Sequence, residues 1–208
     1  KNSSIPCAIF HLTASNTTDQ PVEVSFLAAQ QNAVGYLGDK AIEGRAYAGY
    51  GGNRNALKRE GDALFLHAMS DLARDSAGYG DMVLAVPADG ASGLASWDSL
   101  EKLADRFTEN GLLKGDETAG PSPAGQTLDG ALAVSFTLAP FSCRSSSSTR
   151  AVNFALSRFR AAVPRFSCLV NSSRSSWRAI CASFADLRLA RSWARTASSS
   201  IASVVFLV

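Results

Sequence analysis

Leu132, Val134, Phe136 and Leu138 are separated by single small or polar residues and follow the turn-like Leu128-Asp129-Gly130. A period of two puts all four on one face of an extended strand, whereas a helix would scatter them around its axis. A strand of this kind needs a second apolar layer to cover it. The same pattern recurs toward the start of the chain. From Ile5 to Ala14, one face carries Ala8, Phe10, Leu12 and Ala14 and the other Cys7, Ile9, His11 and Thr13. Val22, Val24 and Phe26 then alternate with Glu23 and Ser25. The polar run from Asn16 to Pro21 between them reads as a turn, so a hairpin is expected. Ala63 to Met69 and Asp81 to Pro87 read as two further strands.

One segment has helical spacing. Trp97, Leu100, Leu103, Ala104 and Phe107 share a face, Ser96 is placed to cap the start, and Asn110-Gly111 supplies the stop. Seven glycines lie between Gly35 and Gly61, with Tyr36, Tyr47 and Tyr50 among them, and this stretch reads as a long surface loop. Gly115 to Gln126 reads as another loop. Several short strands with one surface helix predict a mainly β fold, an antiparallel β-sandwich.

The pattern stops at Pro140, where the composition also changes. Residues 1–140 hold all 16 Gly, and their ten cations against seventeen anions give a net charge of −7. Residues 141–208 hold 17 Ser, ten Arg, one acid (Asp186), no Lys and no Gly, a net charge of +9. The overall +2 conceals this difference and by itself points to no nucleic-acid partner. Soluble surfaces ordinarily mix both signs and use Lys freely. The expected organisation is therefore a partial sandwich over 1–140 and a Ser/Arg-rich, irregular or partly helical tail over 141–208. Translation out of frame, a genuine basic or disordered tail, and an unusual folded segment are all consistent with that composition. Within the tail, Trp177, Ile180, Cys181, Phe184 and Leu187 fall at helical spacing.

Three segments, in order, resemble the N-terminal domain of glycoside hydrolase family 116, the glucosylceramidase-like and bile-acid β-glucosidase family. They are NSSIPCAIFHLTASNTTDQPVEVSFLAAQQN at 2–32, GGNRNALKREGDALFLHAM at 51–69 and DGALAVSFTLAP at 129–140. The resemblance covers about residues 2–140 and departs at Phe141, where the family continues with a Gly-Glu turn and a further strand. It implies a supersandwich-like domain whose partner in the parent is an intramolecular (α/α)-barrel catalytic domain. That domain carries the nucleophile and acid/base and acts on a glycoside or glycolipid. No position here matches it, so the chain alone is expected to be inactive.

The residues themselves agree with that expectation. Retaining glycoside hydrolysis needs two carboxyl groups about 5–5.5 Å apart across the scissile bond. The pairs Asp71/Asp75 and Glu101/Asp105, each four residues apart, read instead as solvated charge. His11 and His67 stand isolated, and cysteines 7, 143, 168 and 181 lack the spacing of a metal or redox motif. No catalytic, cofactor-binding or metal residue is assigned, and no cofactor is expected. Gly49, Gly51 and Gly52 match no phosphate-binding pattern. Tyr36, Tyr47, Tyr50 and Trp97 could stack on sugars, although anchoring of the loop is the commoner role of such residues. A free-standing carbohydrate-binding sandwich is accordingly the alternative function. A basic tail with Trp177 and Trp193 that binds anionic membrane or nucleic acid is a third. Asn2, Asn16 and Asn171 open glycosylation triplets, but no signal peptide or membrane-spanning segment is read, and a cytoplasmic setting is preferred.

Overall fold

The computed structural model describes residues 7–16, 18–140, 148–157, 167–173, 176–182 and 201–207. Thirteen elements occur among them: β1 (Cys7–Asn16), β2 (Val22–Gln31), β3 (Asn53–Glu60), β4 (Ala63–Ser70), β5 (Met82–Pro87), β6 (Ser92–Leu94), α1 (Leu100–Asn110), β7 (Thr118–Ala119), β8 (Asp129–Leu138), β9 (Ser148–Ser157), β10 (Ser167–Ser173), β11 (Ser176–Ala182) and β12 (Ile201–Leu207). The first sheet has the order β1-β9-β5-β4-β3-β7 and is antiparallel throughout, whereas the second has the order β10-β11-β12-β2-β8-β6. Every pairing in the second sheet is antiparallel except the two made by β12, with β11 and with β2.

The alternation read from sequence builds the space between the sheets. Val24, Phe26 and Ala28 of β2 and Leu132, Val134, Phe136 and Leu138 of β8 pack against Leu64 and Leu66 of β4 and Leu84 and Val86 of β5. Phe26 and Phe136 meet with ring centroids 5.7 Å apart. The other face of β2 is buried too: Leu27 and Ala29, with Ala131 and Ala133 of β8, lie beneath Leu103 and Phe107 of α1. A strand buried on both faces belongs in the interior of a sheet, and β2 is flanked there by β8 and β12.

That placement corrects the expected hairpin. β1 and β2 are consecutive but lie in different sheets, so the Asn16–Pro21 turn is an arch across the sandwich. Asn16 fixes its geometry. The Nδ2 of Asn16 donates to the carbonyls of Gln20 (2.8 Å) and Ala139 (2.8 Å), and its Oδ1 accepts from the Thr18 N–H (2.9 Å). The corner is thereby tied to the end of β8.

Three further details differ from expectation. The glycine-rich stretch contains a strand, β3, paired residue for residue with β4 from Asn53↔Ser70 to Glu60↔Ala63. Its inward positions begin with Asn53 and Asn55, both buried, so no apolar alternation marks it. Ser99 rather than Ser96 caps α1, accepting from the Lys102 N–H, and the Trp97 N–H donates to the Asp129 carbonyl at 3.0 Å ahead of the helix. In the tail, Ser176–Ala182 is strand β11 where Trp177, Ile180 and Cys181 allowed a helix, while Phe184 and Leu187 lie outside the described residues. The stop at Gly111 is as expected. Its φ is 72°, its N–H closes on the Phe107 carbonyl at 2.8 Å, and a Cβ there would stand 1.8 Å from Ser25 Oγ. Only glycine meets both demands.

Candidate functional site

The strongest concentration of polar and aromatic side chains lies where the excursion between β2 and β3, residues 32–52, meets the loop between β7 and β8. Three buried asparagines organise it from below. Asn32 Nδ2 donates to Asn55 Oδ1 (3.0 Å) and to the Met69 carbonyl (2.9 Å). Asn53 Nδ2 donates to Asn32 Oδ1 (3.1 Å) and the Val34 carbonyl (2.9 Å), and Asn55 Nδ2 donates to the Ala95 carbonyl (2.9 Å). Buried amides of this kind are tolerated because their donors and acceptors are met, and a network so closed holds its backbone in one arrangement.

Above it, main-chain bonds join the two loops. Tyr47 N–H donates to Gly125 O (3.0 Å), Gly125 N–H to Tyr50 O (2.7 Å) and Thr127 N–H to Arg45 O (3.1 Å). The rings of Tyr36, Tyr47 and Tyr50 pack together with centroids 4.6 Å (36 to 47), 5.3 Å (47 to 50) and 6.2 Å (36 to 50) apart. Tyr50 is 4% exposed and its hydroxyl has no hydrogen-bond partner. Burial, reinforced by the neighbouring Tyr36, Asp129 and Tyr47, pushes that hydroxyl far above the ordinary tyrosine value.

An ion pair completes the cluster. Arg45 donates through Nε to Asp129 Oδ2 and through Nη2 to the Trp97 carbonyl, and its guanidinium carbon lies 5.1 Å from the Trp97 ring centroid. The indole N–H of Trp97 is spent on the Gly130 carbonyl at 3.2 Å. Asp129 is buried, and desolvation raises its carboxyl above the ordinary range even though Arg45 pulls it down. The aromatic residues read from sequence therefore converge, but as a mutual packing unit. Tyr50 is enclosed, and Trp97 carries an arginine over its ring.

The remaining candidates lie apart. Asp71 stands in the β4–β5 loop, paired with Arg54 through two bonds of 2.9 and 3.0 Å, and Asp75 is exposed nearby. Glu101 and Asp105 are exposed on α1. His11 is exposed on β1, and His67 sits on the outer face of β4 with its ring 6.5 Å from that of Phe65. The N–H groups of Gly51 and Gly52 are taken by Asn53 Oδ1 and the Ser122 carbonyl, which leaves them unable to cradle a phosphate. Asn16 is buried with its amide engaged, so it is closed to glycosylation; Asn171 is on β10, and Asn2 and Trp193 lie outside the described residues. Among the described residues no three His, Cys, Asp or Glu side chains gather as metal ligands, and no helix is long and apolar enough to cross a membrane.

A groove of about 430 Å³ opens between the β3 and β6 margins, floored by Leu57, Leu64 and Leu113 and rimmed by Arg59, Lys114 and Glu117. No aromatic side chain lines it, and its single carboxylate has no second one facing it.

Sequence reasoning found the tyrosines and Trp97 but not the asparagine network or the Arg45–Asp129 pair. The available signal was Asn53 and Asn55 at alternate positions directly after a glycine pair. No curated protein matches the chain. Residues 1–167 match the family model described as beta-glucosidase 2, glycosyl-hydrolase family 116 N-term, a stretch that continues past Pro140.

Proposed function

Because the chain belongs to glycosyl-hydrolase family 116 through its N-terminal domain, we propose that it supplies the non-catalytic sandwich supporting an (α/α)-barrel catalytic domain in a β-glucosidase- or glucosylceramidase-like enzyme. On this reading the 208 residues hydrolyse no glycoside by themselves.

The observation that carries the proposal is the asymmetry of the two sheets. α1 covers the outer face of the second sheet. On the outer face of the first, Phe65 and Ala85 lie in one cross-strand row with Ile9, and His67 and Val83 lie in the next. Ile9 is 57% and Met69 36% exposed, and Phe65, Val83 and Ala85 are only partly buried. Adjoining apolar side chains on a regular face are what a neighbouring domain covers. The free-standing carbohydrate-binding alternative is less well supported, since Tyr50 and Trp97 are already engaged inside the protein.

The test adds the purified chain to a separately produced family 116 catalytic domain. The expected result is no turnover of an aryl β-glucoside by the chain alone, with a rise in thermal stability of the catalytic domain when both are present. Saturable turnover by the chain alone would overturn the proposal.

A further inference from the structure

We propose that Asn110 is a deamidation site gated by α1: it converts to aspartate and isoaspartate in molecules whose last helical turn has opened, and the product hinders that turn from closing again. The inference is independent of the docking of a catalytic domain.

The chain contains a single Asn-Gly dipeptide, Asn110-Gly111. Glycine after asparagine favours self-attack, because it carries no Cβ to obstruct the approach of its main-chain nitrogen to the side-chain amide. In that step the Gly111 nitrogen gives its proton to solvent base and bonds to Asn110 Cγ, and the side-chain nitrogen departs as ammonia. Water then opens the resulting succinimide at either carbonyl. One opening leaves aspartate; the other leaves isoaspartate, with the side-chain methylene now part of the main chain.

Asn110 is exposed at the end of α1, so water and base reach it. The nucleophile is nevertheless occupied. The Gly111 N–H donates to the carbonyl of fully buried Phe107 at 2.8 Å, and its proton cannot leave while that bond stands. The Asn110 Oδ1 in turn accepts from the Leu112 N–H at 3.1 Å. Beyond the cap, Leu113 is buried and its N–H donates to Ser92 Oγ at 2.9 Å. Gly111 is therefore fixed between two anchored residues, and the attack must wait for the turn to open.

The product opposes closure in two ways. Either acid adds a carboxylate at the helix C-terminus, where the macrodipole is already negative, Glu109 adjoins, and the last turn has no basic residue. Isoaspartate also lengthens the main chain just before Gly111, the position where an added Cβ would stand 1.8 Å from Ser25 Oγ. A cap fitted that closely does not re-form around an extra carbon.

The test follows deamidation of the peptide containing Asn110 by mass spectrometry in heavy-oxygen water, alongside hydrogen exchange of the Gly111 amide. Both reactions need the same bond to break, so the full chain and its Phe107→Ala variant should differ by the same factor in both. Asn110→Asp should speed exchange of the α1 amides about two- to fivefold. If Phe107→Ala does not fold, a series of urea concentrations below the unfolding transition, applied to the unaltered chain, replaces it and should raise both rates in parallel. Deamidation as fast in the folded chain as in the unfolded one, deamidation unmoved while Gly111 exchange quickens, or α1 exchange unchanged by Asn110→Asp would each overturn the inference.

Discussion

Tyr50 and Asp129 show how differently burial acts on neighbouring polar groups. The Tyr50 hydroxyl is enclosed without a partner, so the protein bears its desolvation with no compensating bond. Tyr50→Phe is therefore expected to raise stability, by about 1 kcal/mol, in denaturant titrations. Asp129 has a partner in Arg45, yet its carboxyl remains raised. A carboxyl raised in the folded state binds its proton more tightly there than in the unfolded chain. Its contribution to stability is consequently largest below the ordinary aspartate value and declines as pH rises through the raised one. The exposed pairs Asp71–Arg54 and Lys58–Glu60 act in the opposite sense, since both carboxyls are lowered and their stabilisation fades on acidification. Subtracting the Asp129→Asn variant from the parent, measured across pH, isolates the first effect: the difference should move against the parent as pH rises from the ordinary aspartate value, then level off. A difference independent of pH would show that Asp129 titrates normally.

Among the elements, α1 and β8 were legible because their apolar residues recur at one clear period; β8 appears where that period puts it, whereas α1 begins at Leu100 and leaves Trp97 ahead of the helix. β3 was not legible, because its inner face opens with amides whose burial is balanced by partners distant in sequence, such as Asn32. The arch between β1 and β2 was hidden for a related reason. A polar turn between two alternating runs looks the same whether the strands pair or part, and only the bonds from Asn16 to the end of β8 distinguish the cases. The Arg45–Asp129 pair, 84 residues apart in sequence, left no local mark at all. The energetic centre of α1 is Phe107, fully buried against β2 and β8. Phe107→Ala should lower unfolding stability by about 3–5 kcal/mol, with loss of protection in α1 amides. A cost below 1 kcal/mol would mean that the helix is not anchored there.

For the molecule as a whole, the proposed partnership rests on the outer face of the first sheet. Val83 is partly exposed on that face, so Val83→Asp should leave the fold of the isolated chain nearly intact while abolishing its stabilisation of an added catalytic domain. Equal stabilisation by the variant would move the contact elsewhere. The join between the two long loops bears on how relatives of this chain can differ in length. Arg45, Tyr47 and Tyr50 each meet a fixed counterpart between Gly125 and Thr127, so an extra residue within that stretch would throw both loops out of step. The eight positions from Leu37 to Gly44 are almost all exposed, and added residues there would cost little more than the entropy of a longer closure. Natural insertions and peptide tags alike should therefore be accepted just before Arg45 and refused just after it.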